Sequence, residues 1–278
     1  MRTWLITGAS RGFGREIAIA ALEAGDNVVA TARRPELLAD LVTKYGERTF
    51  AFPLDVTDPA SAAQAVQRTV DTFGRLDVVV NNAGYTSTGA LETMPMEDFH
   101  AQIEANFFGT VYVTRAALPI LRAQRSGHFL QFSSVGGRVG GTPGNGAYQS
   151  AKHAVEGFSK VLRNEVGPLG VKVTIVEPGA FRTDYGNETN FPPVIPDYEQ
   201  TVGRMNEFRR TTAGTWAGDP ARAARILVDV VNNPEPPLQL VLGAAAVEMV
   251  ERATEERLAE LRNWAEVSRA ADFPASSE

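Results

Sequence analysis

The fold of this chain is set by the stretch Thr3–Gly14, which reads TWLITGASRGFG. Its first five residues, Thr3–Thr7, predict a short buried strand, and a helical pattern runs from Gly14 to Ala24. The glycines between them therefore lie in a strand-to-helix turn, where a pyrophosphate can approach the backbone at a helix N-terminus. The spacing Gly-x-x-x-Gly-x-Gly differs from the G-x-G-x-x-G fingerprint. The position of the turn nevertheless favours a nucleotide site, with a plain tight connection as the alternative.

Strand-like and helical patterns alternate along most of the chain. The apolar runs are short and show little polar alternation, which is typical of strands buried on both faces of a parallel sheet. The sequence therefore predicts a doubly wound α/β fold. The predicted strands are Thr3–Thr7, Asn27–Thr31, Thr49–Leu54, Leu76–Val80, Phe129–Ser133, Lys172–Val176 and Leu238–Leu242. The predicted helices are Gly14–Ala24, Ala60–Phe73, Met96–Arg122, Tyr148–Val166 and Pro220–Val231.

Two segments depart from this alternation. Residues 184–218 contain a proline-rich stretch and then a helix-like stretch, and we interpret them as an insertion that forms a substrate lid. The apolar content of this segment includes Phe191, Val194, Ile195, Met205, Phe208 and Trp216. Residues 244–270 are dense in Glu and Arg and predict a C-terminal helical extension, most simply a solvated surface helix.

Composition excludes several classes of function. The 278-residue chain has a formal net charge of -6 and no basic cluster, which argues against a nucleic-acid-binding surface. It contains no cysteine, which excludes disulfides and thiolate chemistry, and its histidines, His100, His128 and His153, lack metal-ligand spacing. We therefore expect no metal. Because no signal-peptide pattern and no apolar stretch of transmembrane length is present, we expect a cytoplasmic protein without membrane contact.

The run Tyr148-Gln-Ser-Ala-Lys152 places a phenol and an ammonium four residues apart. On a helix, this spacing puts both side chains on one face. A lysine beside a tyrosine favours the phenolate and lowers the tyrosine pKa from its reference value near 10. The pair is therefore a candidate for proton exchange with an alcohol or a ketone. On its own the spacing is weak support, since such pairs occur by chance on many helices.

Further motifs strengthen this hypothesis. Besides Thr7–Gly14 and Tyr148-x-x-x-Lys152, the chain carries Asn81-Asn82-Ala83-Gly84, Asn106 in Asn-Phe-Phe-Gly, Ser134, and Pro178-Gly179. In this order and at these spacings, the six motifs resemble those of the short-chain dehydrogenase/reductase family. The resemblance covers about Thr3 to Thr183. It implies a single-domain Rossmann-like fold with a seven-stranded parallel sheet, and a nicotinamide cofactor across the carboxyl ends of the strands.

The resemblance also implies a catalytic tetrad of Asn106, Ser134, Tyr148 and Lys152. Tyr148 is expected to act as general acid or base, and Lys152 to lower its pKa and hold the nicotinamide ribose. Ser134 is expected to hydrogen-bond the substrate oxygen. Asn106 is expected to hold a water through a local break in its helix. An asparagine is unfavourable inside a helix, which independently suggests a special role.

The implied cofactor contacts follow the same motifs. Charge favours NADP(H) over NAD(H), because the end of the second strand carries Arg33 and Arg34 in place of an acidic residue. Arg33 is a candidate clamp for a 2′-phosphate, and Arg11 is a second; two solvated arginines are the alternative. The complete set is Gly8, Ser10, Arg11, Gly12, Phe13, Gly14, Arg33, Arg34, Asp55, Val56, Asn82, Ala83, Gly84, Tyr148, Lys152, Pro178, Gly179 and Thr183.

The leading interpretation is an NADP(H)-dependent oxidoreductase that interconverts a ketone or aldehyde and a secondary alcohol. The substrate is expected to be apolar, from the side chains of the predicted lid. The glycine-rich loop 136–146 suggests a roomy or mobile pocket. The alternatives are a non-catalytic NADP(H)-binding sensor and a nucleotide-sugar epimerase or dehydratase. By the same resemblance, the expected assembly is a homodimer or homotetramer.

Overall fold

The computed structural model describes residues 1–183 and 191–273. These residues form one seven-stranded parallel sheet with the strand order β3-β2-β1-β4-β5-β6-β7. The sheet confirms the predicted α/β, Rossmann-like, doubly wound fold, and every strand end lies within two residues of its predicted position. The strands are β1 (Thr3–Ile6), β2 (Asn27–Ala32), β3 (Thr49–Pro53), β4 (Val78–Asn81), β5 (Gly127–Phe132), β6 (Val171–Pro178) and β7 (Gln239–Leu242).

Helices connect the strands on both faces of the sheet. The α-helices are α1 (Gly12–Glu23), α2 (Ala39–Tyr45), α3 (Pro59–Phe73), α4 (Met96–Ile103), α5 (Gly109–Gln124), α6 (Val135–Arg138), α7 (Gly146–Val166), α8 (Arg204–Thr212), α9 (Pro220–Asn232), α10 (Ala244–Asn263) and α11 (Ala265–Arg269). Within the described residues, π-helical segments span Glu104–Phe108 and Glu199–Gly203. Short 3-10 helices span Pro35–Leu38, Gly46–Arg48, Gly167–Leu169, Pro196–Tyr198 and Ala213–Thr215.

Both faces of the sheet are covered by apolar side chains. Along β1, Trp4 and Ile6 belong to one buried cluster, and Leu5 belongs to the other. The first cluster is closed by α1 and α9, and the second by α3, α5 and α7. Because every residue of β1 is buried, the strand shows no polar alternation, which is why its sequence reads as a continuous apolar run.

The order of the strands places a cleft at the centre of the sheet. From β1 the chain winds outward to β3, and from β4 it winds outward to β7 in the opposite direction. Ligands of open α/β sheets bind where this direction reverses, at the carboxyl ends of the strands. The glycine turn after β1 and the Asn81–Gly84 run after β4 therefore lie next to each other at the switch point.

Three helical details differ from the sequence-based prediction. The single predicted helix Met96–Arg122 is divided into α4, a π-helical segment and α5. Helices α2 and α6 were not predicted, because a seven-residue helix and a one-turn helix are too short to show a clear period. The segment 244–270 contains α10 and α11.

Residues 184–190 of the predicted lid lie outside the described residues. In the remaining part, the Tyr198 hydroxyl donates a hydrogen bond to Glu92 over 2.6 Å. Val202 is buried and would be 3.1 Å from a Cβ atom on Gly144, in the glycine-rich loop. These contacts place the described part of the insertion beside the connection between β4 and α4 and beside the glycine-rich loop that precedes Tyr148. In the described part of the chain, no helix is both long and apolar enough to cross a membrane.

Candidate active site

A cavity of about 570 Å³ opens at the carboxyl ends of the central strands. This volume is within the range of small-molecule and cofactor sites. The cavity gathers residues from loops that are far apart in sequence, including all four members of the expected tetrad. The predicted site residues that line it are Gly8, Ser10, Arg11, Gly12, Phe13, Arg33, Asp55, Val56, Asn82, Ala83, Gly84, Asn106, Ser134, Tyr148, Lys152, Pro178, Gly179 and Thr183.

The glycine turn forms a narrow cradle at one end of the cavity. Gly8 and Gly12 have φ angles of 66° and 53°, in the left-handed region that favours glycine. A Cβ atom on Gly12 would lie 3.4 Å from the Thr183 side chain, so the turn closely faces the end of the β6 loop. Helix α1 begins here without a side-chain cap from Arg11. Its N-terminal N–H groups and its dipole suit a phosphate group, so the residues fit a dinucleotide.

Gly14 has a packing role rather than a place in the cavity wall. A Cβ atom at this position would lie 2.3 Å from the Gly8 carbonyl oxygen and 2.7 Å from Asn82 Nδ2. Gly14 thus lets α1 begin directly against the turn. Arg34 also lies outside the cavity: it is exposed and precedes the 3-10 helix Pro35–Leu38.

Thr7 fastens the glycine turn to the end of β4. Its Oγ1 accepts hydrogen bonds from the N–H groups of Asn82 and Ala83, each over 3.0 Å, and donates to the Val80 carbonyl. The Asn82 amide in turn donates to the Thr7 and Gly8 carbonyls over 2.9 Å and 3.2 Å. Thr7 was not among the predicted site residues, although its place at the start of the glycine motif was the signal that could have identified it.

Arg33 lines the cavity and is exposed, directly after the end of β2. Asp55, after β3, accepts hydrogen bonds from the Thr57 N–H over 3.0 Å and from the Thr57 hydroxyl over 2.8 Å. These bonds, with a smaller contribution from the Arg33 charge, lower the Asp55 pKa below its usual value. Asp55 therefore stays ionised and shapes the turn that borders the cavity, while Arg33 carries the positive charge that faces it.

Asn106 lies in the π-helical segment between α4 and α5. Its Nδ2 donates to the Tyr85 and Gln102 carbonyls, both over 2.9 Å, while its buried Oδ1 has no hydrogen-bond partner among the described residues. A Cβ atom on Gly84 would lie 2.4 Å from that Oδ1 and 3.7 Å from Lys152 Nζ. The missing side chain of Gly84 therefore keeps a gap open between the Asn106 acceptor and the Lys152 ammonium.

Helix α7 brings Tyr148 and Lys152 to the cavity wall. Lys152 Nζ lies 5.7 Å from the centroid of the Tyr148 ring and donates to the Phe132 carbonyl over 2.8 Å. Lys152 is only 4% exposed, and this burial lowers its pKa from 10.5 to about 8. Ser134 caps the N-terminus of α6, since its Oγ accepts from the Gly136 N–H over 3.1 Å. The arrangement unites an acid–base phenol, a buried cation and a hydroxyl in one cavity.

Phe132 and Phe181 also line the cavity but were not among the predicted site residues. Phe13 packs against Phe132 and Phe181 with centroid distances of 5.5 and 4.8 Å, and together they close the floor beneath the turn. Of the six apolar lid residues named above, all of them described, Trp216 lines the cavity and the other five do not, and Ile195 and Phe208 are exposed. The lid therefore gives less support for an apolar substrate than its composition suggested. The described residues contain no cluster of side chains suited to a metal ion.

Comparison with known proteins shows what the whole chain is similar to. A family model described as short chain dehydrogenase matches residues 2–192. The chain is 50% identical over 269 residues to "Oxidoreductase BOA17" of Botryotinia fuckeliana, and the match covers 96% of this chain and 98% of that protein.

Solved structures show the same similarity in three dimensions. A short-chain dehydrogenase from Streptomyces avermitilis is 40% identical with a TM-score of 0.88, and 98% of each chain is covered. A serine dehydrogenase in its closed form, complexed with NADP+, is 28% identical with a TM-score of 0.75, and the match covers 86% of this chain and 94% of that one.

Proposed function

Because this chain belongs to the short-chain dehydrogenase family, we propose that it is an NADP(H)-dependent oxidoreductase that interconverts a ketone or aldehyde and the corresponding alcohol. The observation that carries the proposal is the placement of Ser134, Tyr148, Lys152 and Asn106 in one cavity, beside the uncapped N-terminus of α1. The cavity thus joins a proton-transfer group to a cradle suited to a phosphate.

A nicotinamide cofactor, when bound, supplies hydride-transfer chemistry. The glycine turn and the α1 N-terminus would hold its phosphates, and the lining residues Pro178, Gly179 and Thr183 would border its other end. The protein's own contribution is to hold the substrate oxygen and to exchange a proton with it.

Proton transfer is assigned to the Tyr148 hydroxyl, which donates to a carbonyl oxygen in reduction and accepts from an alcohol in oxidation. The Lys152 ammonium favours the phenolate by its charge. Ser134 Oγ already accepts from the Gly136 N–H, so its hydroxyl proton can be donated to the substrate oxygen. The buried Oδ1 of Asn106 would hold a water beside Lys152. This water would supply the proton that replaces the one given up by Tyr148.

The assay for the proposed activity is NADPH consumption, followed by the loss of nicotinamide absorbance, with a panel of aliphatic, aryl and cyclic ketones and aldehydes. We expect turnover with members of the panel. Tight NADPH binding without turnover of any carbonyl compound would contradict an enzyme and favour the cofactor-binding sensor. The proposed substrate is a small carbonyl compound or alcohol, and the proposed assembly, by family resemblance, is a homodimer or homotetramer.

The preference for NADP(H) is assigned to Arg33. A guanidinium at the end of β2 can pair with a 2′-phosphate through two charge-assisted hydrogen bonds, whereas NAD has only hydroxyl groups there. We expect Arg33→Asp to raise the KM for NADPH about 10- to 100-fold, because hydrogen bonds to charged groups contribute about 1.5–3 kcal/mol. The KM for NADH should change less than about threefold, because no phosphate contact is lost.

Initial rates with each cofactor, at a fixed saturating carbonyl concentration, measure this selectivity. The matched control is Arg34→Asp, which introduces the same charge at a neighbouring exposed position outside the cavity. We expect the control to leave the ratio of the two KM values nearly unchanged. Equal effects of Arg33→Asp on both cofactors would remove the assignment.

A further inference from the structure

Ser134 is the N-cap of a helix, α6, that is too short to be stable by itself. Helix α6 is a single turn, Val135–Arg138, and two of its four residues are Gly136 and Gly137. A helix of one turn has no stability of its own, and glycine lowers it further. The place of the Ser134 hydroxyl in the cavity is therefore determined by what α6 packs against.

One side of α6 is pressed onto α7. A Cβ atom on Gly137 would lie 2.5 Å from Ser133 Oγ and 2.8 Å from Lys152 Cβ. The Ser133 hydroxyl also donates to the Lys152 carbonyl over 3.3 Å. Helix α6 thus packs directly against the turn of α7 that carries the candidate catalytic lysine. A shift of α6 would therefore change the distance between Ser134 and Lys152.

The other end of α6 is tied to a buried cluster of polar side chains. Arg138, the last residue of the helix, donates from Nη1 to Glu177 Oε2 over 3.1 Å. The Gln239 amide donates to Glu177 Oε1 over 2.8 Å and to Glu156 Oε2 over 2.9 Å. Lys160 Nζ lies 3.7 Å from Glu156 Oε2. Four elements, α6, α7, β6 and β7, therefore meet in this cluster.

The two carboxylates are deeply buried: Glu177 is 0% exposed and Glu156 is 5% exposed. Burial, and then the neighbouring Glu156 charge, raise the pKa of Glu177 to about 7, against the opposing effect of Arg138. Buried carboxylates of this kind are costly to keep, and a well-packed apolar replacement is often as stable. A contribution to stability therefore does not explain why the cluster is present. A role in orienting α6 does explain it.

The cluster is also next to the candidate active site along two of its elements. Glu177 immediately precedes Pro178, which lines the cavity. Glu156 lies one helical turn after Lys152 on α7, so both sit on the same side of that helix. The two carboxylates therefore lie on elements, β6 and α7, that also contribute residues to the cavity.

We propose that Arg138 and Glu177 are positioning residues, which hold α6 so that the Ser134 hydroxyl faces the substrate oxygen. This role rests on the proposed carbonyl–alcohol activity. Arg138 links the end of α6 to the end of β6, while Glu156 and Gln239 keep Glu177 in place. The Arg257 guanidinium of α10 donates to the Val139 carbonyl just after α6 and supports the same end of the helix.

The test is the variant Arg138→Met, measured alone and combined with Ser134→Ala. We expect Arg138→Met to lower kcat about 10- to 100-fold with little change in the KM for NADPH, because a misplacement of about 1 Å in a catalytic group costs about 100-fold. In the Ser134→Ala background, Arg138→Met should lower kcat less than about twofold, since the group that it positions is already gone. Arg138→Lys should restore part of the activity.

The matched control is Arg75→Met, which removes another arginine–carboxylate pair, that of Arg75 and Asp77, at the opposite end of the sheet. If Arg138→Met does not fold, Glu177→Gln replaces it in the same double-mutant cycle, since the amide keeps the shape and an acceptor for Gln239. An unchanged kcat, or the same loss with and without Ser134, would overturn the positioning role. Wild-type turnover is measured first, and its absence would contradict the proposed activity itself.

Discussion

Replacing Tyr148 by phenylalanine should lower kcat for carbonyl reduction about 100- to 10,000-fold, which is the usual contribution of a positioned general acid. The phenol hydroxyl is the group assigned to proton exchange, and phenylalanine removes it while keeping the ring. Lys152 Nζ lies 5.7 Å from the centroid of that ring, a contact that phenylalanine preserves. NADPH affinity should therefore change less than about twofold.

Steady-state kinetics give kcat, and fluorescence titration of the variant gives the Kd for NADPH. The matched control is Tyr45→Phe, which removes a phenol hydroxyl at the end of α2, on a side chain that packs against the first apolar cluster. The control should keep wild-type kcat. Turnover of Tyr148→Phe near the wild-type rate would assign the proton transfer to another group, and a large loss of NADPH affinity would assign Tyr148 to binding.

The strands and the order of the site motifs could be read from the sequence because both depend on local patterns. An apolar run such as Thr3–Ile6 is short, continuous and bounded by glycine, so its burial on both faces is visible without the fold. The glycine turn was equally visible. Once the sheet is parallel, its carboxyl ends meet, and residues as distant as Gly12 and Thr183 come together by topology alone.

Contacts between distant side chains could not be read in this way. The π-helical segment at Glu104–Phe108 adds one residue to a turn, and apolar periodicity does not distinguish that from a continuous helix. Only Asn106, through the family resemblance, indicated a break at this point. The pairing of Arg138 with Glu177 joins residues 39 positions apart, and each alone resembles an ordinary charged residue. The close approach of Gly14 to the Gly8 carbonyl also appears only in three dimensions.

Replacing Lys152 by methionine should remove activity without unfolding the protein. We expect kcat to fall at least about 100-fold, since the charge that favours the phenolate is lost, and NADPH affinity to fall about tenfold, since a charged hydrogen-bond donor is lost. Methionine keeps the length of the apolar stem, so packing against α6 is retained. The matched control is Lys172→Met, since Lys172 also donates to a backbone carbonyl, that of Asn233, but outside the cavity.

The stability of the same variant should depend on pH in a defined direction. Burial lowers the Lys152 pKa to about 8 in the folded protein, against 10.5 for an ordinary lysine. Between these values the unfolded chain binds more protons, so the stability of the wild type rises with pH over this window, and methionine removes that rise. The free energy of unfolding of Lys152→Met minus that of the wild type should therefore be largest below pH 8 and decrease towards pH 10.5. Denaturant unfolding of both proteins at a series of pH values measures this difference in the free energy of unfolding. If the difference does not vary with pH, Lys152 is not desolvated in the folded protein.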